Sequence, residues 1–382
     1  MKKFILPFTA AAILLTGCQP ETNNTAKKEF IENYANIAYH SYKDSYDEAV
    51  VFQTMVNDFV TVPTQVKFDA LKQQYIDMRH PYEQTEAYRF YGGPIDNETD
   101  GPEGLINAWP MDEVFVDYVQ GNPNSGIIND TATYPTIDEA LIESLNEQGG
   151  EANISCGYHA IEFLLWGQDL SVSGPGVRPY TDYVVGGTAA HQARRGQYLI
   201  AVTDLLVGHL NTLVNAWDPN VAGNYRASFM NDVDNSFTLL LTGMGKWSKG
   251  ELAGERMSVA LTNQSQEDEH SCFSDQTHND IVWGNESFVN LWLGSYTKVN
   301  GTVISGKGIK DLITDEALKN NMQQHVDDAI TKCAAIQSPF DQEISAGNAA
   351  GNARVLSAIN ALRDQADVLV EVASHLGHNI VL

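Results

Sequence analysis

Through most of this chain apolar residues recur at three- and four-residue steps, and few segments alternate apolar with polar at every second position. Phe30, Tyr34, Ile37, Ala38, Ala49, Val50 and Val56 draw such a stripe with Lys, Asp and Glu between them. Residues 28–60 therefore read as one long amphipathic helix, closed by Thr61-Val62-Pro63-Thr64. Val66, Leu71, Tyr75 and Met78 predict a second helix over about 64–80, stopping near His80-Pro81 because a proline disfavours helical geometry in the residue before it. A short helix through Tyr82, Glu86 and Phe90 follows, then a loop over 91–104, a short helical piece from Asn107 to Tyr118 and an irregular run over 119–135. Ile137 to Glu147 is predicted helical, and Tyr158, Ile161, Leu164 and Leu165 mark a largely buried helix. After a Gly/Pro loop at Ser171–Arg178, a long helix runs from about Thr188 to Trp217. Pro219 to Gly223 breaks the pattern, and helices near 226–245, 250–262, 309–336 and 349–376 fill the second half. Only Thr302–Ser305 reads as strand, hairpin-sized. The expectation is an all-α protein of two packed helical domains, residues 28–218 and 219–382.

The N-terminus belongs to processing, not to the fold. Met1-Lys2-Lys3 is a basic leader and Phe4–Leu15 an apolar core, and Leu15-Thr16-Gly17-Cys18 matches a bacterial lipobox. Residues 1–17 thus read as a lipoprotein signal peptide, Cys18 as the lipidation site and residues 18–27 as a lipidated tether. Acylation on both sulfur and amine gives stable anchoring where a single chain would be marginal. Gln19, not Asp, follows the cysteine, which favours an outer-membrane lipoprotein facing the periplasm or cell surface. Past this leader no stretch reads as apolar for long enough to span a membrane.

The formal net charge of −26 argues against nucleic acid, whose phosphates need clustered Lys and Arg. It suits a cationic ligand by raising its local concentration, and it equally serves solubility. Setting Cys18 aside leaves Cys156, Cys272 and Cys333, an odd number for an oxidising compartment. One pair and one free thiol are expected, with Cys272–Cys333 as the pair and Cys156 buried.

The chemistry concentrates at Gly157-Tyr158-His159-Ala160-Ile161-Glu162. Three residues apart on a helix, His159 and Glu162 share a face. An imidazole and a carboxylate projecting from an apolar helix make half of a metal site, and the same step also suits a structural His–Glu hydrogen bond inside a bundle. Glu86 and Asp112 are the nearest further ligands by type, or else partners in salt bridges to Arg79 or Arg89. A second concentration of ligand types lies at Glu267-Asp268-Glu269-His270, with Asp275 and His278. There Glu267 and Asp268 read as a solvated face, and Glu269 and His270 as facing a cleft. Glu255-Arg256 forms a buried ion pair or presents Arg256 to an anionic ligand.

Gly157-x-His159-x-x-Glu162 resembles the GxHxxE signature of the imelysin family. The resemblance runs on through Arg79-His-Pro-Tyr82-Glu-Gln-Thr-Glu86-Ala-Tyr-Arg89-Phe90 and Asn107-Ala-Trp109-Pro110-Met-Asp112-Glu113. It continues at Gly254-Glu255-Arg256-Met257 and Gln266 to Asp275, segments most similar to the iron-regulated protein A branch. The resemblance implies two four-helix-bundle-like domains with a site at their interface. It also implies a protein that binds iron or an iron-containing ligand, in an uptake setting with a possible membrane partner. His159, Glu162, Glu86 and Asp112 are then the expected metal ligands, with Arg79, Arg89, Glu255, Arg256, Glu269, His270 and Asp275 lining the cleft. The alternatives are a zinc-dependent metallopeptidase of imelysin type and a lipoprotein that binds a partner without metal. Neither His-Glu-x-x-His nor its inverted form occurs in the sequence, so the catalytic reading rests on the family's name and binding stands ahead of it.

Overall fold

The computed structural model describes residues 20–382, with side chains from Asn24 onward. The expected signal peptide, residues 1–17, and the expected lipidation site Cys18 lie outside the described residues. Helix α1 (Pro20–Thr61) begins eight residues before the expected start at 28 and ends where the sequence places the break. Helix α2 (Gln65–Glu83) starts on Thr64, whose side chain accepts a hydrogen bond from the Lys67 amide. It runs on through Pro81, past the expected stop, because Tyr82 and Glu83 are buried and packing holds the last turn in place. The expected helix through Phe90 is only a 3₁₀ turn, Glu86–Tyr88.

The segment read as one helical piece from Asn107 contains two short helices, α3 (Glu103–Ile106) and α4 (Glu113–Val116). Helix α5 (Glu139–Leu145), the motif helix α6 (Gly157–Trp166) and α7 (Gln192–Trp217) fall where the pattern puts them. By length and composition α7 passes as a membrane span, contrary to the reading above. It is nonetheless a core helix here, packed along α1 and carrying the buried Arg195.

Helices α8 (Tyr225–Asn231) and α9 (Val233–Lys246) follow the turn after Trp217. A π-helix, Trp247–Val259, continues α9 directly and passes into α10 (Ala260–Asn263), where an ordinary helix over 250–262 was expected. Helix α11 (Thr277–Leu293) was not anticipated: Asn279, Asp280, Asn285 and Asn290 interrupt its apolar stripe. A two-stranded antiparallel hairpin, β1 (Ser295–Thr297) and β2 (Val303–Ser305), pairs Tyr296 with Ile304. Helices α12 (Glu316–Ala334), α13 (Phe340–Ile344) and α14 (Ala349–His375) complete the chain.

The architecture is all-α, in two helical groups. In the first, α1 packs along α2 and α7, and α6 lies against α7. In the second, α14 packs on α12, on the π-helix and on α9. Helix α11 packs on both α12 and α2 and joins the groups, and one continuous hydrophobic core runs through both.

Cys156, Cys272 and Cys333 are all free thiols, so the expected Cys272–Cys333 bond does not form. Cys333 is buried on α12, whereas Cys272 lies near the Glu162 and Glu269 carboxylates at the junction of the two groups.

Candidate metal centre

Helix α6 opens on Gly157 at φ +84°, a left-handed conformation that favours glycine. A Cβ there would also meet the Ile106 carbonyl oxygen at 2.5 Å, so the start of the helix is seated against the end of α3. Every residue of α6 is buried. One turn in, His159 Nδ1 lies 3.1 Å from Glu162 Oε2. The other Glu162 oxygen accepts from the Ser274 amide (2.9 Å) and the Ser274 hydroxyl (2.5 Å). Both carboxylate oxygens are therefore engaged, one by the histidine and one by the opposite helical group.

His270 repeats the arrangement from that opposite side. Its Nδ1 lies 2.8 Å from Asp280 Oδ2, which also accepts from Ser271 Oγ (2.5 Å) and Arg79 Nη2 (3.3 Å). The two imidazoles stand edge to face, centroids 4.6 Å apart and planes at 81°. Trp109 packs edge-on to His270 at 5.8 Å. His159 Nε2, His270 Nε2 and Asp280 Oδ1 are buried without a hydrogen-bond partner. A carboxylate accepting from Nδ1–H leaves Nε2 as a lone pair, the arrangement by which proteins orient metal-ligating histidines. Burial and the Arg79 guanidinium push His159 well below its usual range; burial and Arg256 do the same for His270. Both rings are thus neutral, the form a metal requires.

Burial pushes Glu162 up to about 8, against the pull of Ser274 and Arg79. Donor atoms of Glu83, His270 and Asp280 lie within 4.8 Å of one another. Glu83 is also gripped by Arg79 and by Arg256 (Nη1 to Oε2, 3.1 Å). Arg79 Nη1 donates to Asn107 Oδ1 (2.6 Å), and Arg256 lies over the Trp247 ring at 4.7 Å. The π-helix carries Arg256 to this junction.

Of the expected ligands, His159 and Glu162 come together as the spacing predicts. Glu86 is buried nearby, but Arg89 (2.7 Å) and Arg256 (2.8 Å) both bind its Oε2. Burial raises its pKa, yet the two guanidiniums outweigh that and hold it below the usual carboxylate range. Its role is an ion pair, the alternative the sequence left open. Asp112 is not brought to the site: it is exposed, and its carboxylate caps α4 through the Val114 amide (3.1 Å). Glu255 likewise points to solvent, and Arg256 pairs instead with Glu83, Glu86 and Glu251.

Arg79, Arg89, Arg256, Glu269, His270 and Asp275 are all buried, Asp275 at a left-handed φ of 56°. The sequence reading missed Glu83, Ser274 and Asp280. Glu83 was within reach as the residue one helical turn after Arg79. Asp280 lies on the unforeseen α11, ten residues after His270.

The sequence profile of the imelysins matches residues 38–369, nearly the whole described chain. The chain belongs to the imelysin family. No functionally curated protein matches its sequence. This imelysin superposes on an iron-regulated protein A precursor from Parabacteroides distasonis ATCC 8503 with a TM-score of 0.74 at 17% identity, over 94% of this chain and 97% of that one. It superposes on an imelysin-like protein from Psychrobacter arcticum 273-4 with a TM-score of 0.66 at 10% identity, over 94% and 98% of the two chains. At such identities the likeness concerns the fold.

Proposed function

We propose that this imelysin binds a transition-metal ion, iron in the first instance, between its two helical groups, as a lipid-anchored protein of iron uptake. One observation carries the reading: two buried neutral imidazoles, each held at Nδ1 by a carboxylate and each left with an unpartnered Nε2. His270, Asp280 and Glu83 have donor atoms within 4.8 Å of one another, and His159, its ring 4.6 Å from that of His270, would be the second nitrogen ligand. Glu162, first expected as a ligand, would orient His159 instead, because both its oxygens are already engaged. Imidazole with carboxylate suits iron or manganese and tolerates zinc. When bound, the ion would supply the positive charge that the buried carboxylates draw from Arg79 and Arg256 in its absence. The name of the Parabacteroides relative and the lipobox at Cys18 support the iron-uptake setting, on the membrane face toward periplasm or cell surface.

Metal analysis of chelator-free protein, wild type against His159→Ala and His270→Ala, tests the site. Near-stoichiometric metal in wild type and at least a tenfold drop in each variant are expected; equal metal in all three would reject it.

A zinc-dependent peptidase is the second reading, favoured by the Glu83 carboxyl beside His270 and Asp280. Burial raises its pKa against the pull of Arg79 and Arg256, the tuning wanted of a general acid–base. Chelator-sensitive cleavage of denatured substrates, abolished in Glu83→Gln, would establish it over simple binding.

A further inference from the structure

An open-sided cavity of about 640 Å³ lies on the seam between α2 and α11, with the hairpin as its third wall. Its volume falls within the range of small-molecule sites, roughly 300–1,000 Å³. The two helices also carry the metal-centre carboxylates Glu83 and Asp280, but other residues of theirs reach the cavity. Helix α2 supplies His80 and Gln84, and α11 supplies Trp283, Glu286 and Asn290. Asp44 of α1 fixes the hairpin wall, its Oδ2 accepting from the Tyr296 hydroxyl (3.0 Å) and the Val299 amide (3.0 Å).

The polar lining is held in place before any ligand arrives. Asn290 Nδ2 donates to Gln84 Oε1 (2.9 Å), and Gln84 Nε2 lies 2.9 Å from His80 Nε2. That ring nitrogen lies 3.2 Å from Glu286 Oε2, so one chain of contacts crosses the seam. Gln84 is only 6% exposed, an amide set into the wall. The chain engages one oxygen of Glu286 and the amide nitrogen of Asn290, which leaves Glu286 Oε1 and Asn290 Oδ1 for a ligand. Side chains fixed in this way lose little further freedom on binding.

Trp283 is only half-buried, its ring 5.0 Å from that of His80. An indole partly open in a cavity wall offers a flat apolar face, and Ile76 and Pro81 add apolar surface beside the polar chain. Charge narrows the ligand further. Asp77 and Glu286 are acidic, and the lysine of the lining, Lys298, already pairs with Asp44 (3.6 Å). An anion is therefore disfavoured. A cation would use the carboxylates and leave the amide donors idle. A neutral ligand with an apolar face and a rim of hydroxyls, each both donor and acceptor, uses the indole and the mixed polar set together. A pyranose ring has that chemistry.

We propose that this cavity is a saccharide site that takes a neutral hexopyranose unit, its C–H face on Trp283 and its hydroxyls on Gln84, Glu286 and Asn290. The site does not rest on the metal reading and is tested apart from it.

The test is calorimetric titration of the full chain with cellobiose and with diacetylchitobiose, against galacturonic acid and spermidine as charged controls. At least one neutral disaccharide is expected to bind, one per chain, with both charged controls at least tenfold weaker. Trp283→Ala, Glu286→Gln and Asn290→Ala are each expected to weaken that binding at least tenfold. Glu286 and Asn290 are only half-buried, so their variants should melt close to wild type and keep the test valid if Trp283→Ala folds poorly. The His159→Ala/His270→Ala double variant should bind the disaccharide as wild type does. Absence of binding by both disaccharides would overturn the proposal, as would binding unchanged in the Glu286 and Asn290 variants. Tighter binding of spermidine or galacturonic acid would overturn it too, by showing that the cavity selects charge.

Discussion

Two buried charge clusters in this molecule look alike in composition and differ in what they leave open. In the first helical group, Asp117 Oδ2 accepts from Arg178 Nη1 (2.7 Å) and Arg195 Nε (2.7 Å). Its Oδ1 accepts from Arg195 Nη2 (2.9 Å) and Asn129 Nδ2 (3.1 Å). Every carboxylate lone pair has a donor, and although burial works the other way, Arg178 and Arg195 hold the Asp117 pKa below the usual range. At the junction of the groups, arginines again meet carboxylates, but two imidazole nitrogens and one carboxylate oxygen are left without partners. In the first cluster the atom left open is a donor, Arg178 Nε, and the cluster is a structural fastening; open acceptors are what a cationic ligand needs. Burial and charge alone do not separate the two, whereas the inventory of unpaired acceptors does.

That contrast is sharpest under mutation. Asp117→Ala leaves the buried Arg195 without a carboxylate and Arg178 with Asp182 alone, at 3.4 Å, and is expected to cost about 3–5 kcal/mol of unfolding free energy in denaturant titration, with metal content per folded molecule unchanged. Glu162→Gln is expected to do the reverse, lowering metal affinity about ten- to hundredfold, the usual effect of removing a carboxylate that orients a ligating histidine. A Glu162→Gln protein that holds metal as tightly as wild type would break the comparison.

The pH dependence has opposite signs in the two clusters. The raised pKa of Glu162, about 8, makes the folded metal-free chain take up a proton, so this group adds stability as pH falls from about 8.5 toward 6.5. Metal binding expels that proton, so the rise in melting temperature that metal produces should shrink over the same interval. Below about 6.5 the depressed histidines oppose the gain, because the unfolded chain takes up protons that the folded one refuses. The lowered pKa of Asp117 instead gives stability that is complete above about pH 4 and lost on further acidification. Melting curves across pH, wild type against Glu162→Gln, separate these contributions. The smallest effect is reserved for Asp112→Ala: loss of one exposed helix cap, about 1 kcal/mol, with metal content unchanged.

Much of this was legible in the sequence. The long stripes of α1, α7 and α14 announce themselves because each buries one face over many turns. His159 and Glu162 could be paired from their spacing because a single helix fixes both. Asp280 could not, because the polar residues of α11 hide the helix that carries it. Asp112 and Glu255 were misplaced for a common reason: residue type and proximity to a motif say nothing about which way a short helix turns. Asp112 proved to be a cap and Glu255 the outward neighbour of an inward arginine. The expected Cys272–Cys333 bond failed similarly, since an odd number of thiols constrains pairing only when their distances are known.

Gly157 gives the motif helix an anchor with no slack. With its backbone pressed on the Ile106 carbonyl, the imidazole two residues later is indexed to the end of a short neighbouring helix as well as to α2 and α7. That short helix opens on Glu103, whose carboxylate Arg89 binds. Residues 103–106 thus act as a stop against which the start of α6 is seated, and the position of the His159 ring is set from outside its own helix as well as from within.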